Sequence, residues 1–414
     1  MRPEMPMARP YLPKRNGTFV RLIQRGGHGR AMAFRVKWQK CYMVRADKPW
    51  HAARNSPIMR SPRMAKAIVL LFLAVLPAFL RPSSAQSTAA ITDSLGRTTL
   101  LPPKVERVLS LQPEITRLVV ALGAADRLVG IDYFLRAHDD LFKLVFPAQA
   151  RLPLVSMANY NVNLEVLARL APDVIFGPPE DGNVVEAIET KTRIPVVALS
   201  SMGRFDRLLE ELRLVGRLLG REERARELEA SFESRLASIR KKLEGLPPSA
   251  KPKVFLSFWN VLTNTPVSYE PVNVAGGLNV AEGSLPAYAG TLNAVVAVER
   301  ILAWAPDIIL LQGNYPPSRR EWTVGRVLSD RRLASLEAVR RKRVTYTFGF
   351  WNWWDFAQVQ VETAYLARIF HPGRFADFDL VAYGNEVFRE VYGVENAFSS
   401  LCRILGCEEW ANAR

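Results

Sequence analysis

The stretch Leu164-Glu165-Val166-Leu167-Ala168-Arg169-Leu170-Ala171-Pro172-Asp173-Val174-Ile175-Phe176 returns 134 residues later as Val298-Glu299-Arg300-Ile301-Leu302-Ala303-Trp304-Ala305-Pro306-Asp307-Ile308-Ile309-Leu310. Of the 13 aligned positions, 5 are identical and 6 more pair apolar with apolar, so what recurs is a buried unit headed by a glutamate. In each copy apolar residues at helical spacing run into Ala-Pro-Asp, where proline stops the helix before a short apolar strand. The chain therefore reads as two copies of one lobe. Two similar lobes form a cleft, and Glu165 and Glu299, placed alike, give it a pair of matched surface points.

Outward from the first copy, Arg107 to Leu111, Leu128 to Ile131, Val174 to Phe176 and Ile194 to Leu199 read as short buried strands. Helical spacing fills Ile115 to Leu122, closed by Gly123. Strands alternating with helices imply a mostly parallel sheet with helices on both faces. Between about Phe205 and Glu244 the composition shifts to Leu, Arg, Glu and Ala without proline, and Leu228, Phe232, Leu236, Ile239 and Leu243 form one apolar stripe. Gly220 is expected to break this segment, leaving a rod of about 24 residues, roughly 36 Å, able to bridge two lobes. The plan then restarts: Phe255-Leu256-Ser257-Phe258 mirrors Val108-Leu109-Ser110-Leu111 at an offset of 147, and Arg343 to Phe348 reads as a strand of period two. The expected fold is α/β, with two Rossmann-like αβ lobes joined by a single long α-helix and a ligand cleft between them. Its divisions are a basic leader 1–63, a signal peptide 64–85, an N-terminal lobe 86–204, a bridging helix 205–246 and a C-terminal lobe with tail 247–414.

Charge supports the division at the N-terminal side. Residues 1–85 hold 17 Lys and Arg against 2 acidic residues, leaving 39 against 38 in the remainder, a net charge of +1. A global phosphate-binding surface is thus not expected, nor a nucleic-acid partner. Arg60, Arg63 and Lys66 precede the apolar run Ala67 to Leu80 and the small residues up to Ala85, the order of a secretory signal peptide cut after Ala85. At 14 residues the run is short of the roughly 20 that span a bilayer. Gln86-Ser87-Thr88 follows where a lipid-anchored form would carry cysteine, so a free, soluble, periplasmic protein is expected. Cys402 and Cys407 stand five apart with Gly406 able to turn the chain between them; a disulfide and two free thiols are both open.

The order of signal peptide, Leu111-Gln112-Pro113-Glu114 after a strand, Asn163-Leu164-Glu165 followed by Ala171-Pro172-Asp173, a long helix, Gly276-Gly277-Leu278-Asn279, and Glu299 followed by Ala305-Pro306-Asp307 resembles the periplasmic binding proteins of ABC importers for iron chelates and vitamin B12. The resemblance covers about residues 91–395. It implies two αβ lobes on one long helix, a ligand in the cleft, modest closure, and a glutamate on each lobe, here Glu165 and Glu299, docking into arginine pockets of the permease. It also implies a monomer, no cofactor and no catalysis, with an ABC permease and its ATPase as partners. A ferric siderophore leads as ligand, then cobalamin, then molybdate or tungstate. An exported two-lobed enzyme such as a glycosyltransferase is the reading from another class.

Independently of the resemblance, Glu165 lies in the first turn of a helix that Asn163 can cap, where a carboxylate gains about 0.3–1 kcal/mol from the dipole. At the matching position Ala297 replaces Asn163, so the carboxylate was kept where the cap was not. Asp173 and Asp307 read as turn or cap residues. An open αβ sheet places its site beyond the carboxyl ends of its strands. The residues there with the reach to bind are Gln112, Tyr133, Asn159, Tyr160, Trp259, Asn260, Trp351, Trp353 and Trp354. Flat aromatic side chains suit a chelate or corrin with apolar faces. Three tryptophans within four positions cannot all face inward on one strand, so at least one is expected in the cleft. Arg136, Arg204 and Arg319 are cations that an anionic ligand would need, and nothing in the sequence chooses among them. The Gly276-Gly277 pair reads as a turn or as an anion-binding backbone. Beyond residue 85 only His138 and His371 remain, too few for bare zinc or manganese. Dinucleotide and hydrolase-elbow motifs do not occur.

Overall fold

A computed structural model describes residues 89–157, 161–178, 182–199, 203–287, 292–349 and 354–412. The expected leader and signal peptide lie outside these residues. The described residues form one compact unit. Among the described residues no helix is long and apolar enough to cross a membrane.

A hairpin comes first, β1 (Ala89–Thr92) against β2 (Thr98–Leu101). The first lobe follows: β3 (Val108–Ser110), α1 (Pro113–Ala121), α2 (Tyr133–His138), α3 (Asp140–Val145), α4 (Leu164–Leu170), β4 (Val174–Gly177), α5 (Gly182–Thr192) and β5 (Val196–Ala198). Its sheet runs β3-β4-β5, all parallel, and a bridge from Val108 to Leu128 extends it on the β3 side. The hairpin was not foreseen in the sequence. It covers the β5 edge, where Ser94 N donates to Ala198 O and Arg97 donates to Val196 O, satisfying groups that an open edge would leave unpaired.

Two helices then cross between the lobes, α6 (Phe205–Leu218) and α7 (Glu222–Lys242), broken at Gly220 as expected, where φ is +58°. At 21 residues α7 spans roughly 32 Å. It buries Ala225, Leu228, Phe232, Leu236 and Ile239, the anticipated stripe less Leu243.

The second lobe comprises β6 (Lys253–Ser257), β7 (Asn264–Pro266), α8 (Glu270–Val274), β8 (Leu278–Asn279), β9 (Asn293–Val295), α9 (Val298–Trp304), β10 (Ile308–Gln312), α10 (Val324–Ser329), α11 (Glu337–Arg340) and β11 (Val344–Thr347). Its sheet order, β8-β6-β10-β11, is parallel and repeats the first lobe's plan: β6, β10 and β11 stand where β3, β4 and β5 stand. The register corrects the letter alignment. Val108 sits opposite Val174 and Val254 opposite Ile308, so the true offset of the first strand is 146, not 147. Strands buried on both faces lack the alternation that would have fixed this register from sequence. For the same reason β11 shows no period of two: Val344 and Thr347 are buried, Thr345 and Tyr346 half-buried.

Four helices close the chain, α12 (Phe356–Phe370), α13 (Leu380–Tyr392), α14 (Ala397–Leu405) and α15 (Cys407–Asn412). They are not confined to the second lobe. α12 packs on α1, α7 and α8, α13 on α1, and α14 on α3. The largest apolar cluster accordingly runs from Ile115 and Leu118 through Leu208 and Phe232 to Val361 and Phe388, while each sheet keeps a smaller cluster of its own. Cys402 and Cys407 are disulfide-bonded, with Gly406 in the left-handed conformation between them.

Candidate functional site

The repeated stretch has one geometry in both lobes. α4 and α9 each end on a left-handed alanine, Ala171 (φ 43°, ψ 60°) and Ala305 (φ 45°, ψ 64°), before the proline. Asp173 Oδ2 then accepts from the backbone N–H groups of Glu106 and Arg107, and Asp307 Oδ2 from that of Lys253. These aspartates are thus strand clamps rather than the turn or cap residues expected. The basic residue they hold closes the circuit: Arg107 donates to Leu170 O at 2.6 Å, and Lys253 to the matching Trp304 O at 3.3 Å, occupying carbonyls that a helix end leaves open. Sequence reading missed this circuit because Arg and Lys do not align by identity.

The clamp brings the C-terminus of each helix to the N-terminal edge of its sheet, so Glu165 and Glu299 emerge at the opposite, carboxyl edge. Both are exposed in the first turn of their helices. Asn163 Oδ1 accepts from Val166 N, whereas Ala297 provides no side-chain cap.

At that carboxyl edge the described candidates part into three groups. Gln112 and Trp354 belong to the interior, which corrects the expectation of surface ligand contacts. Gln112 is fully buried and its amide donates to Leu199 O at 3.0 Å, tying the end of β3 to the chain leaving β5. Trp354, 1 % exposed, packs against Phe205 and Tyr269 at the junction of the lobes, because the chain turns inward there to start α12. Asn260 is a strut: its amide donates to Arg319 O at 2.6 Å and its oxygen accepts from Glu321 N, fixing the loop after β10.

Tyr133 and Trp259 remain at the surface. Tyr133 is half-buried, its backbone N–H held by Ser156 Oγ and its ring edge-on to His138 at 5.6 Å. Trp259 is 39 % exposed, and its backbone N–H donates to Gln312 Oε1 at 2.6 Å. Trp259 and Asn260 both have positive φ, 53° and 58°, a strain of about 1–3 kcal/mol each of the kind that accumulates at binding sites. Asn159, Tyr160, Trp351 and Trp353 lie outside the described residues.

The structure also separates the three cations. Arg136 is consumed by Gln149 Oε1, Gln149 O and Leu152 O. Arg204 is paired with Asp206. Arg319 is exposed and makes no ion pair among the described residues, and its charge reaches the first lobe. Burial holds the half-buried His138 below its ordinary pKa, and the charges of Arg319 and Lys143 push it the same way. The charge of Arg319, on the second lobe, thus bears on His138 of the first. Two buried polar side chains lie at the same edge. Asp132 Oδ2 has no hydrogen-bond partner among the described residues, and burial pushes this carboxyl up to about 6. Asn314, just past β10, leaves both amide atoms unpartnered among the described residues. Neither stood out in the sequence, where nothing marks which polar residues will be buried.

The Gly276-Gly277 pair is a packed turn rather than an anion cradle: a Cβ on either would collide with His371 or Phe370 of the α12 end. Among the described residues no group of three or more His, Cys, Asp or Glu side chains could hold a metal ion.

Two parallel-sheet αβ lobes joined by α6 and α7 make a two-lobed α/β architecture. Residues 108–348 match the periplasmic binding protein family, and the chain belongs to it. It is 24 % identical to the molybdate-binding protein MolA of Haemophilus influenzae over 347 residues, 75 % of this chain and 92 % of that protein. The structure of MolA bound to molybdate has the same fold, with a TM-score of 0.61, 21 % identity and coverage of 74 % of this chain and 98 % of that one. A periplasmic solute binding protein from Veillonella parvula gives 0.62 at 21 % identity, covering 79 % and 99 %. A cobalamin-binding protein of Halobacterium salinarum is 25 % identical over 194 residues, 46 % of this chain and 50 % of that protein. The chain is thus a substrate-binding protein of the ABC-transporter class and not an enzyme, and the glycosyltransferase alternative falls.

Proposed function

We propose that this protein captures an anionic metal complex, a ferric siderophore before other chelates, in the periplasm, and as a monomer delivers it to an ABC permease and its ATPase. The observation that carries the reading is Arg319, exposed and without an ion pair among the described residues, whose charge bears on His138 of the other lobe, with Tyr133 edge-on to His138 and the exposed Trp259 next to Asn260, which holds Arg319 O: a cation and a ring nitrogen for the charged rim, two aromatic faces for the apolar body. Glu165 and Glu299, exposed at the same edge, are the docking points toward the permease. A second reading, molybdate or tungstate, is favoured by the similarity to MolA along most of that protein and by the same Arg319 cation. Cobalamin is the third.

Tryptophan-quenching titration with a ferric siderophore, cobalamin, molybdate and tungstate tests the proposal. Binding at about micromolar Kd or tighter is expected for one of them, weakened at least about tenfold (1.4 kcal/mol) in Arg319→Glu. No binding to any of the four, or an unchanged Kd in Arg319→Glu, would refute it.

A further inference from the structure

The end of the molecule opposite the cleft carries a charge imbalance that neither ligand capture nor permease docking uses. Because β6, β10 and β11 are parallel neighbours, their N-termini share one edge. Lys251 and Lys253 stand at the start of β6, and Arg340, Arg341, Lys342 and Arg343 lead into β11. The last turn of α7 adds Arg240, Lys241 and Lys242, and Arg374 is tied to it, donating to Lys242 O at 2.8 Å and Glu244 O at 2.9 Å. These elements meet at the buried His371, on which the charges of Arg374, Arg343 and Lys251 all bear. Against these 10 cations and Arg204 stand 7 acids, Glu244, Asp307, Glu337 and Asp377 with Asp206, Glu270 and Glu282 of the adjoining cavity, an excess of +4 on residues 86–414, whose net charge is +1. Glu337 is held by Arg340 and Arg341, and Asp377 by Lys242.

A cavity of about 680 Å³ opens beside this edge. Three carboxylates share its wall: Asp206 is paired with Arg204, while Glu270 accepts from the Phe205 N–H and Glu282 from the Asn273 amide and both keep their charge, so that with Arg204, Arg240 and Lys251 the lining is neutral overall and the positive excess lies along the edge outside it. Arg240 and Lys251 line it with no ion pair among the described residues, next to the apolar Leu243, Leu246 and Val274. Leu278, opposite Lys253 in the sheet, is 45 % exposed on the same edge.

We propose that this basic pole is a docking surface for an anionic phospholipid membrane, with a headgroup phosphate entering the cavity between Arg240 and Lys251. Charge complementarity carries the choice of occupant: several unpaired Lys and Arg on one edge gain about 1 kcal/mol each at an anionic lipid surface. An apolar wall and an exposed leucine beside them fit the headgroup boundary better than open solvent. The pole lies at the N-terminal edge of the sheet, so a protein seated on it keeps Glu165, Glu299 and the cleft edge free. The surface would hold a receptor near the membrane independently of which ligand it carries.

The test is co-sedimentation of the protein, recovered after export into a periplasm, with phosphatidylcholine vesicles and with vesicles containing about one-third phosphatidylglycerol. Binding to the phosphatidylglycerol vesicles at about 50 mM salt should exceed that to phosphatidylcholine at least fivefold and vanish near 500 mM. In Arg240→Glu/Lys251→Glu it should fall about tenfold or more, and in Arg240→Gln/Lys251→Gln by less. Neither side chain makes a hydrogen bond or ion pair among the described residues, and an unchanged thermal transition would show that both variants are folded. Equal sedimentation with both lipids, or undiminished binding by the Glu variant, would overturn the proposal. Displacement by about 10 mM inorganic phosphate at constant ionic strength would overturn the membrane assignment in favour of a free-phosphate site.

Discussion

Arg117 is the side chain whose removal should cost this fold most. It sits on α1 with 2 % of its side chain exposed, and its guanidinium donates twice to Asp139 Oδ2, once from Nε at 3.0 Å. Asp355 Oδ2 lies 4.0 Å from Nε, and Trp354 O accepts from the same guanidinium at 3.5 Å. Each aspartate is itself a helix cap: Asp139 Oδ1 accepts from Phe142 N at the start of α3, and Asp355 Oδ1 from Ala357 N and Gln358 N at the start of α12. Tyr392 OH donates to Asp355 Oδ2. One buried cation therefore joins a cap in the first lobe to the cap of the helix that returns from the second. Arg117→Met keeps the stem but strands two buried carboxylates, at a cost of about 3–5 kcal/mol. At about 2–4 °C per kcal/mol, the thermal midpoint should fall by roughly 10 °C. Burial already holds the Asp355 carboxyl above its ordinary value, and without Arg117 it rises further. A carboxyl raised in the folded state withdraws stability as pH rises through its folded pKa, so the deficit should be larger at pH 8 than at pH 5. Adding Asp139→Asn and Asp355→Asn keeps the cap acceptors, removes the stranded charge, and should restore stability to within about 1–2 kcal/mol. Urea denaturation of the three proteins at both pH values decides it. A single variant within about 1 kcal/mol of wild type, or a triple variant no better than the single, would refute the account of a charge-linked junction.

Three further outcomes are expected. Burial pushes Asp132 up to about 6, so this group loses stability as pH rises from about 4 through 6; Asp132→Asn, which keeps the cap to Leu135 N, should gain up to about 3 kcal/mol at pH 7.5 and almost nothing near pH 4 in urea titrations. Reduction of Cys402–Cys407, which closes a five-residue separation, should cost about 2 kcal/mol and loosen the tail that stacks Trp410 on Arg320, visible as a red-shifted emission of the buried Trp410. Replacing Glu165 and Glu299 together by alanine should abolish uptake while ligand affinity stays within about threefold; unchanged uptake leaves the two glutamates with a capping role only, and lost affinity places them in the ligand site.

The lobes were legible because helix spacing, proline stops and apolar strands are local signals that the duplication printed twice. The long helix and its break at Gly220 were legible for the same reason. Less could be read where a choice depended on partners distant in sequence. Strands buried on both faces carry no alternation, so the register of β6 slipped by one residue in the alignment. Gln112 and Trp354 had the right chemistry and strand-end position for a ligand, yet packing took both inside. Conversely, Arg136, Arg204 and Arg319 looked equivalent until Gln149 and Asp206 consumed the first two.

The amino-acid sequence alone determined two αβ lobes, the bridging helix and the matched position of Glu165 and Glu299, since each follows from contacts within a few residues of itself. Tertiary structure alone decided that α12 to α14 reach back onto the first lobe, that Arg117 is buried between two aspartates, that Asp173 and Asp307 clamp strands, and that the charge of Arg319 bears on His138. Burial and charge pairing join residues tens to hundreds of positions apart, and no local pattern encodes which of many polar side chains will find such a partner.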